Sequence, residues 1–308
     1  MSAAPQTELA ADYAHCAQVA RHAENFPVAS RLLPASMRPH LAAIYAFARG
    51  ADDLADEIAP HLGERLVATD PASRLAALDE WEAGLDGSPP AGAEPVFRAL
   101  AASRAECKLP ESELRALLVA FRYDVEHQGY ATWEDLLAYA RNSAAAIGRL
   151  VLAVAGVRDP AVIKESDELC TALQLTNFWQ DLSLDLPIGR ITIPEGLWKS
   201  KTLDSSRLRS LPGTASERWK ALAKPERTRL SAALAICVVR TEAMFEHTRA
   251  LPSHGGRSLA RYLSAVWNGG HTVLDRVRAL EERAFVERPS LSWTDRAGIA
   301  WRAVVTRG

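Results

Sequence analysis

Two short acidic blocks carry the residue types most able to do chemistry. They are DDLAD at 52–56 and NFWQDLSLD at 177–185, about 125 residues apart. Carboxylates four apart on a helix share one face with Cβ atoms roughly 5–6 Å apart, and repel unless a cation joins them. In the first block Tyr45, Arg49, Asp52 and Asp56 are spaced four, three and four apart and fall on one stripe. In the second, Asn177, Asp181 and Asp185 repeat every four residues, and Gln174 extends the ridge. A lone pair of this kind is more often a solvated helix face. Both blocks, however, lie in apolar surroundings, AAIYAFA and ELCTALQLTNFW. Buried carboxylates at this density destabilise a fold unless cations neutralise them or they line a water-filled cavity. Brought together, the two ridges would make a metal clamp. With no His or Cys among them, the donor set is hard oxygen, which selects Mg²⁺ shared with substrate phosphates. Arg49 and Arg190 would add permanent positive charge for a diphosphate.

The elements that must position these ridges read as helices. Pro39 suits a first helical turn, and the pattern from there runs to about Glu57. Further helices are predicted over 71–85, 96–107, 111–127 and 132–156, with a Gly- and Pro-rich surface loop at 84–95. A long helix should follow Asp159-Pro160 and continue through the second ridge until Pro187 breaks it, with a turn at 187–190. A loop and helix over 199–228 and helices at 229–250, 257–283 and 293–305 complete the reading. The one strand-like run is ITI at 191–193. No repeat or composition break divides the chain, so a single all-α domain over 1–308 is expected.

Composition narrows the class. A net charge of −2 over 308 residues leaves no polycationic footprint, so nucleic acid is not expected as a partner. The four cysteines lack CxxC spacing and fit a reducing, cytoplasmic setting. No signal-like N-terminus and no 18-residue apolar run are visible.

HAENFPVAS at 22–30, YAFARGADDLADE at 45–57 and LQLTNFWQDLSLDLPIGRITIP at 173–194 resemble the three signature regions of the squalene/phytoene synthase family. ENFPVAS together with LTNFWQD is most similar to its bacterial hydroxysqualene synthase branch, in the hopanoid pathway. The resemblance implies a type I isoprenoid synthase helical bundle with a central cavity for prenyl chains. It implies Mg²⁺ on Asp52, Asp56, Asn177, Asp181 and Asp185, and diphosphate on Arg49 and Arg190. Asp53, rotated about 100° from Asp52, is the weaker ligand. His22, Asn25, Phe26 and Tyr45 fall where relatives line the substrate site, and Phe178, Trp179 and Tyr139 are among the aromatic candidates for a wall around a carbocation.

YARNSAAAIGRL at 139–150 departs from the family wording. Arg141 and Asn142 stand where relatives often carry a tyrosine implicated in cyclopropane formation. That favours an enzyme acting on presqualene diphosphate, giving hydroxysqualene by water capture, over one that condenses two farnesyl diphosphates. The alternatives are a head-to-head prenyl synthase, making presqualene diphosphate, dehydrosqualene or phytoene, and a non-catalytic binding or assembly protein of the same fold. Oily substrate and product also imply peripheral membrane contact, although no single basic amphipathic helix marks where.

Overall fold

The computed structural model describes residues 3–20, 32–56, 70–126, 129–254, 256–292, 294–295 and 298–299. Its helices are α1 (Ala3–Val19), α2 (Arg38–Ala55), α3 (Pro71–Ala83), α4 (Glu94–Cys107), α5 (Glu111–Glu126), α6 (Trp133–Ala140) and α7 (Ala146–Val154). They continue with α8 (Pro160–Gln180), α9 (Leu182–Asp185), α10 (Glu195–Trp198), α11 (Ser205–Ser210), α12 (Ala215–Ala221), α13 (Lys224–His247) and α14 (Arg257–Leu280). The chain forms two compact units, one of residues 1–127 and 146–163, the other of 128–145 and 164–308.

In the first unit α2 is the central element, packed against α1, α3, α4 and α5. Pro39 starts it as expected, since proline's fixed φ suits a first turn where its missing N–H costs nothing. Its inward face alternates alanines with Leu41, Ile44 and Phe47, and the small residues let neighbouring helices approach closely. Phe47, Trp81 and Phe97 form an aromatic cluster with centroids 5.0–6.1 Å apart. Burying each such ring contributes roughly 1.5–3 kcal/mol. Trp81 fits because residue 50 is glycine: a Cβ there would lie 2.4 Å from the indole ring.

Helix α1 has no counterpart among the predicted elements. Its Ala-rich sequence shows little amphipathic contrast, and what anchors it is polar: buried Asp12 accepts two hydrogen bonds from Arg98 at 2.7 and 2.8 Å. Tyr13 meets Ser103 at 3.0 Å and His40 at 3.3 Å. Across α3 and α5, Arg115 binds Glu82 and Asp86, and Arg122 binds Asp79 and Glu82.

In the second unit, Thr132 and Asp135 cap α6 reciprocally, each side chain taking the other's backbone N–H. The helix expected over 132–156 is interrupted: residues Arg141–Ala145 form a π-helical turn between α6 and α7. Helix α8 begins at Pro160 as predicted but ends at Gln180, about two turns before Pro187, because Asp181 departs from helical geometry. A 3₁₀ turn at Leu186–Ile188 closes on Gly189 in the left-handed region (φ 79°), the turn expected at 187–190. The ITI segment makes one parallel bridge, Ile191 to Gly129, and no strand. Trp198 donates to the Ile193 carbonyl at 2.8 Å and Trp267 to that of Phe245 at 2.9 Å, which fixes two large rings without stranding their N–H groups. Most of the helix expected at 293–305 lies outside the described residues.

Candidate functional site

The first ridge occupies the last turn and a half of α2. Arg49 sits across two carboxylates, Nη1 at 3.0 Å from Asp52 and Nη2 at 2.6 Å from Asp53. Asp53 is buried, so its role is that of an internal partner for Arg49, in line with its rotation away from the stripe. Asp56 follows the helix as its C-cap in extended backbone (ψ 142°), its N–H bonded to the Asp52 carbonyl. Asp56 is exposed, and its helical φ (−73°) keeps its Cβ on the stripe while the backbone after it turns away.

Asp52 keeps 38% of its side-chain surface accessible, yet its carboxyl is pushed up to about 7. Burial is the first cause, because surrounding protein displaces hydration that would stabilise the anion; the negative charge of Asp56 is the second, partly offset by Arg49. Asp53 and, from α5, Asp124 raise it further. Around Asp52, three carboxylates therefore act against one arginine. Hard oxygen donors crowded in this way suit Mg²⁺, which would relieve the repulsion. Tyr45, half-buried, lies two turns before Asp52.

The second ridge differs in its companions. Asn177 is half-buried in the last turn of α8, Asp181 stands at the junction with α9, and Asp185 ends α9. Backbone bonds from Asp181 N–H to Asn177 and from Asp185 N–H to Asp181 keep the four-residue spacing across the break. Arg288 donates from Nε to Asp181 Oδ1 at 2.6 Å, and its neighbour Pro289 accepts from Gln180 Nε2 at 2.8 Å. Neither residue was among those singled out in the sequence, since no spacing rule links positions more than 100 apart.

Arg190 lies 5.9 Å over the Phe178 ring. Phe178, Tyr130 and Tyr139 form a buried aromatic group with centroids 5.6–5.9 Å apart. Tyr139 and Phe178 were expected there; Tyr130 was not, and it is fixed by the Gly129 bridge and by Glu195 N–H donating to its carbonyl at 2.9 Å. Trp179 is fully buried and donates to Thr241 Oγ1, a core role. Arg141, exposed, and Asn142, half-buried, open the π-helical turn, a backbone form frequent at functional positions. His22, Asn25 and Phe26 lie outside the described residues.

A further metal-capable trio is Glu242, His271 and Asp275. His271 Nε2 is 3.0 Å from Glu242 and Nδ1 3.3 Å from Asp275. Arg278 already binds both carboxylates, so the trio is an ion-pair network with its cation supplied by the chain.

All-α architecture with an isoprenoid synthase fold is shared with solved structures. Squalene synthase HpnC from Alicyclobacillus acidocaldarius superposes with a TM-score of 0.72 at 35% identity, over 89% of this chain and 96% of that one. A dehydrosqualene synthase shares the fold with a TM-score of 0.71 at 19% identity, over 97% and 98%. The squalene/phytoene synthase family model matches residues 19–296, and the chain belongs to that family. Hydroxysqualene synthase of Sinorhizobium fredii is 38% identical over 177 residues, 57% of this chain and 56% of that protein. The 15-cis-phytoene synthase of Paracoccus sp. is 35% identical over 182 residues, 58% of each. The matched stretch spans a little over half the length of these curated relatives.

Proposed function

We propose that the chain is a Mg²⁺-dependent hydroxysqualene synthase, ionising presqualene diphosphate and capturing the rearranged cation with water to give hydroxysqualene and diphosphate. The observation that carries this reading is the polar pair Arg141 and Asn142 at the head of the π-helical turn, where the family resemblance calls for a tyrosine tied to cyclopropane formation. The 38% likeness to a hydroxysqualene synthase supports it.

Asp52 and Asp56 of the first ridge and Asn177, Asp181 and Asp185 of the second would hold the Mg²⁺. Bound metal supplies charge stabilisation to the departing diphosphate. Arg49 and Arg190 orient the same leaving group through guanidinium donors suited to phosphate oxygens. Tyr45 would sit with them against the substrate, together with His22, Asn25 and Phe26. The aromatic group of Tyr130, Tyr139 and Phe178 offers negative ring faces and little water, conditions that prolong a carbocation's life. Asn142, one turn from Tyr139, brings a neutral hydrogen-bonding group to this neighbourhood, suited to holding the water that ends the reaction.

A second reading, a head-to-head synthase using farnesyl diphosphate, is favoured by phytoene synthases of comparable identity over a similar stretch. Separate incubations with farnesyl diphosphate and presqualene diphosphate, each with Mg²⁺, decide between them. Hydroxysqualene from the C30 diphosphate and no product from the C15 one is the expected result. Presqualene diphosphate, dehydrosqualene or phytoene from C15 substrates overturns it, and no turnover of any prenyl diphosphate supports the non-catalytic alternative.

A further inference from the structure

Leu184, on α9 within the second ridge, and Ile188, in the turn that follows it, are large aliphatic residues left 53% and 72% exposed, four positions apart. The turn that presents them is held firmly. Leu182 and Leu186 are buried beneath it, Gly189 N–H bonds to the Leu186 carbonyl, and Arg218 donates to that carbonyl at 2.9 Å. No loop entropy is left to lose when these side chains enter another phase.

The elements packed around this turn are strongly basic. Both α11 and α12 contact Leu186–Ile188, and residues 199–229 carry nine Lys or Arg against three Asp or Glu, +6 within a chain of net −2. Arg209 lies beside the apolar pair: a Cβ on Gly189 would meet its Cγ at 2.9 Å, so its stem runs along the turn. Arg207 and Arg209 are exposed and have no ion pair among the described residues. The charged groups around the turn also include Asp181, Asp185, Arg190 and Arg288 of the second ridge, two of each sign, and Glu281, Glu282 and Arg283, in a 3₁₀ turn against α9 and α12. These leave the balance basic.

Protruding aliphatic tips with long cationic side chains beside them match an anionic bilayer, whose acyl region takes the tips and whose headgroups take the guanidinium groups. Single-stranded nucleic acid would call for exposed aromatic rings to stack on, which this patch lacks. We propose that Leu184, Ile188 and the basic surface of α11 and α12 dock the protein on an anionic membrane. This deepens the proposed function, since a C30 substrate and product partition into lipid, but the surface chemistry does not depend on which prenyl diphosphate is turned over.

The test is vesicle co-sedimentation of the full chain with phosphatidylcholine alone and with phosphatidylcholine plus phosphatidylglycerol. Binding is expected only to the anionic vesicles and should weaken with salt. Leu184→Ser with Ile188→Ser should lower the partition coefficient about tenfold or more, and Arg207→Gln with Arg209→Gln by about tenfold or more. Ile236→Ser with Val239→Ser, on an exposed apolar stretch of α13, should leave it unchanged. Vesicles that fail to bind the chain, or turn variants that bind as well as wild type, overturn the proposal. So does an equal loss in the α13 variant. If Leu184→Ser with Ile188→Ser instead converts a dimer to a monomer, a second copy of the chain is the occupant and the bilayer is not. Turnover of detergent-dispersed substrate by the Arg207→Gln with Arg209→Gln variant should match wild type. Membrane binding without any turnover would then overturn the proposed function alone, and turnover without membrane binding the docking alone.

Discussion

The two acidic ridges have similar spacing and different electrostatic solutions. At the end of α2, one guanidinium serves both Asp52 and Asp53 while the charges of Asp56 and Asp124 also act on Asp52, and the carboxyl of Asp52 is pushed up to about 7. At the end of α8, Asp181 has its own arginine, Arg288, delivered by a segment more than 100 residues downstream. Identical side-chain spacing on a helix thus fixes only which groups are neighbours. The groups that meet each acid differ, three carboxylates and one arginine around Asp52 and a distant arginine on Asp181.

The largest way to break this comparison is catalytic. Asp52→Ala and Asp181→Ala should each lower Mg²⁺-dependent diphosphate release by at least about a hundredfold, as expected for groups that stabilise a leaving anion. Release measured at wild-type rate in either variant would remove that ridge from the active site.

The helices bearing the ridges are seated by glycines, and this gives the next effect. A methyl at residue 50 would strike the rigid Trp81 indole at 2.4 Å, whereas one at residue 270 strikes the movable end of Leu173 at 2.2 Å and Phe245 at 3.0 Å. Gly50→Ala should therefore destabilise by about 1–3 kcal/mol in urea unfolding, and Gly270→Ala by less.

A pH series sharpens the electrostatic contrast. The folded value of Asp52, about 7, lies above its ordinary 3.8, so between those values the folded chain holds a proton that the unfolded chain releases. Its contribution is fully present below the lower value and is lost as pH rises through the upper one. Asp52→Asn should flatten that decline, raising the urea midpoint near neutral pH and leaving it unchanged under acid conditions. A variant as pH-sensitive as wild type would place the effect elsewhere.

The smallest effect belongs to Arg288→Gln. The pair is partly exposed, with 42% and 29% of the two side chains accessible, so its removal should cost no more than about 1 kcal/mol. A larger loss in denaturant would mean that the segment after α14 holds the second unit together.

Much of the helical architecture was legible because its signals are local. Pro39 and Asp159-Pro160 start helices where their backbone chemistry says they should, and Gly189 ends the turn where only a left-handed conformation fits. Helix α1 was invisible because its fixing contacts are polar and distant, Asp12 to Arg98 and Tyr13 to Ser103. The π-helical turn was equally hidden, since Arg141–Ala145 keeps ordinary helix-forming residues while shifting the hydrogen-bond register. At the site, spacing identified Asp52, Asn177, Asp181 and Asp185 as neighbours along their helices. It could not supply Arg288, Tyr130 or the electrostatic weight of Asp124, which arrive through tertiary packing.

The Glu242, His271 and Asp275 trio offers an internal blank for any metal titration. Its carboxylates are already engaged by Arg278, and the His271 ring is stacked on Trp267 at 4.8 Å with planes 9° apart. An ion arriving there would have to evict a guanidinium and compete for an imidazole held in place by an indole. The His271 ring resonances in an NMR spectrum should therefore stand still while Mg²⁺ loads the aspartates of either ridge. Should they move first, the dose response of the whole protein would be reporting the wrong address.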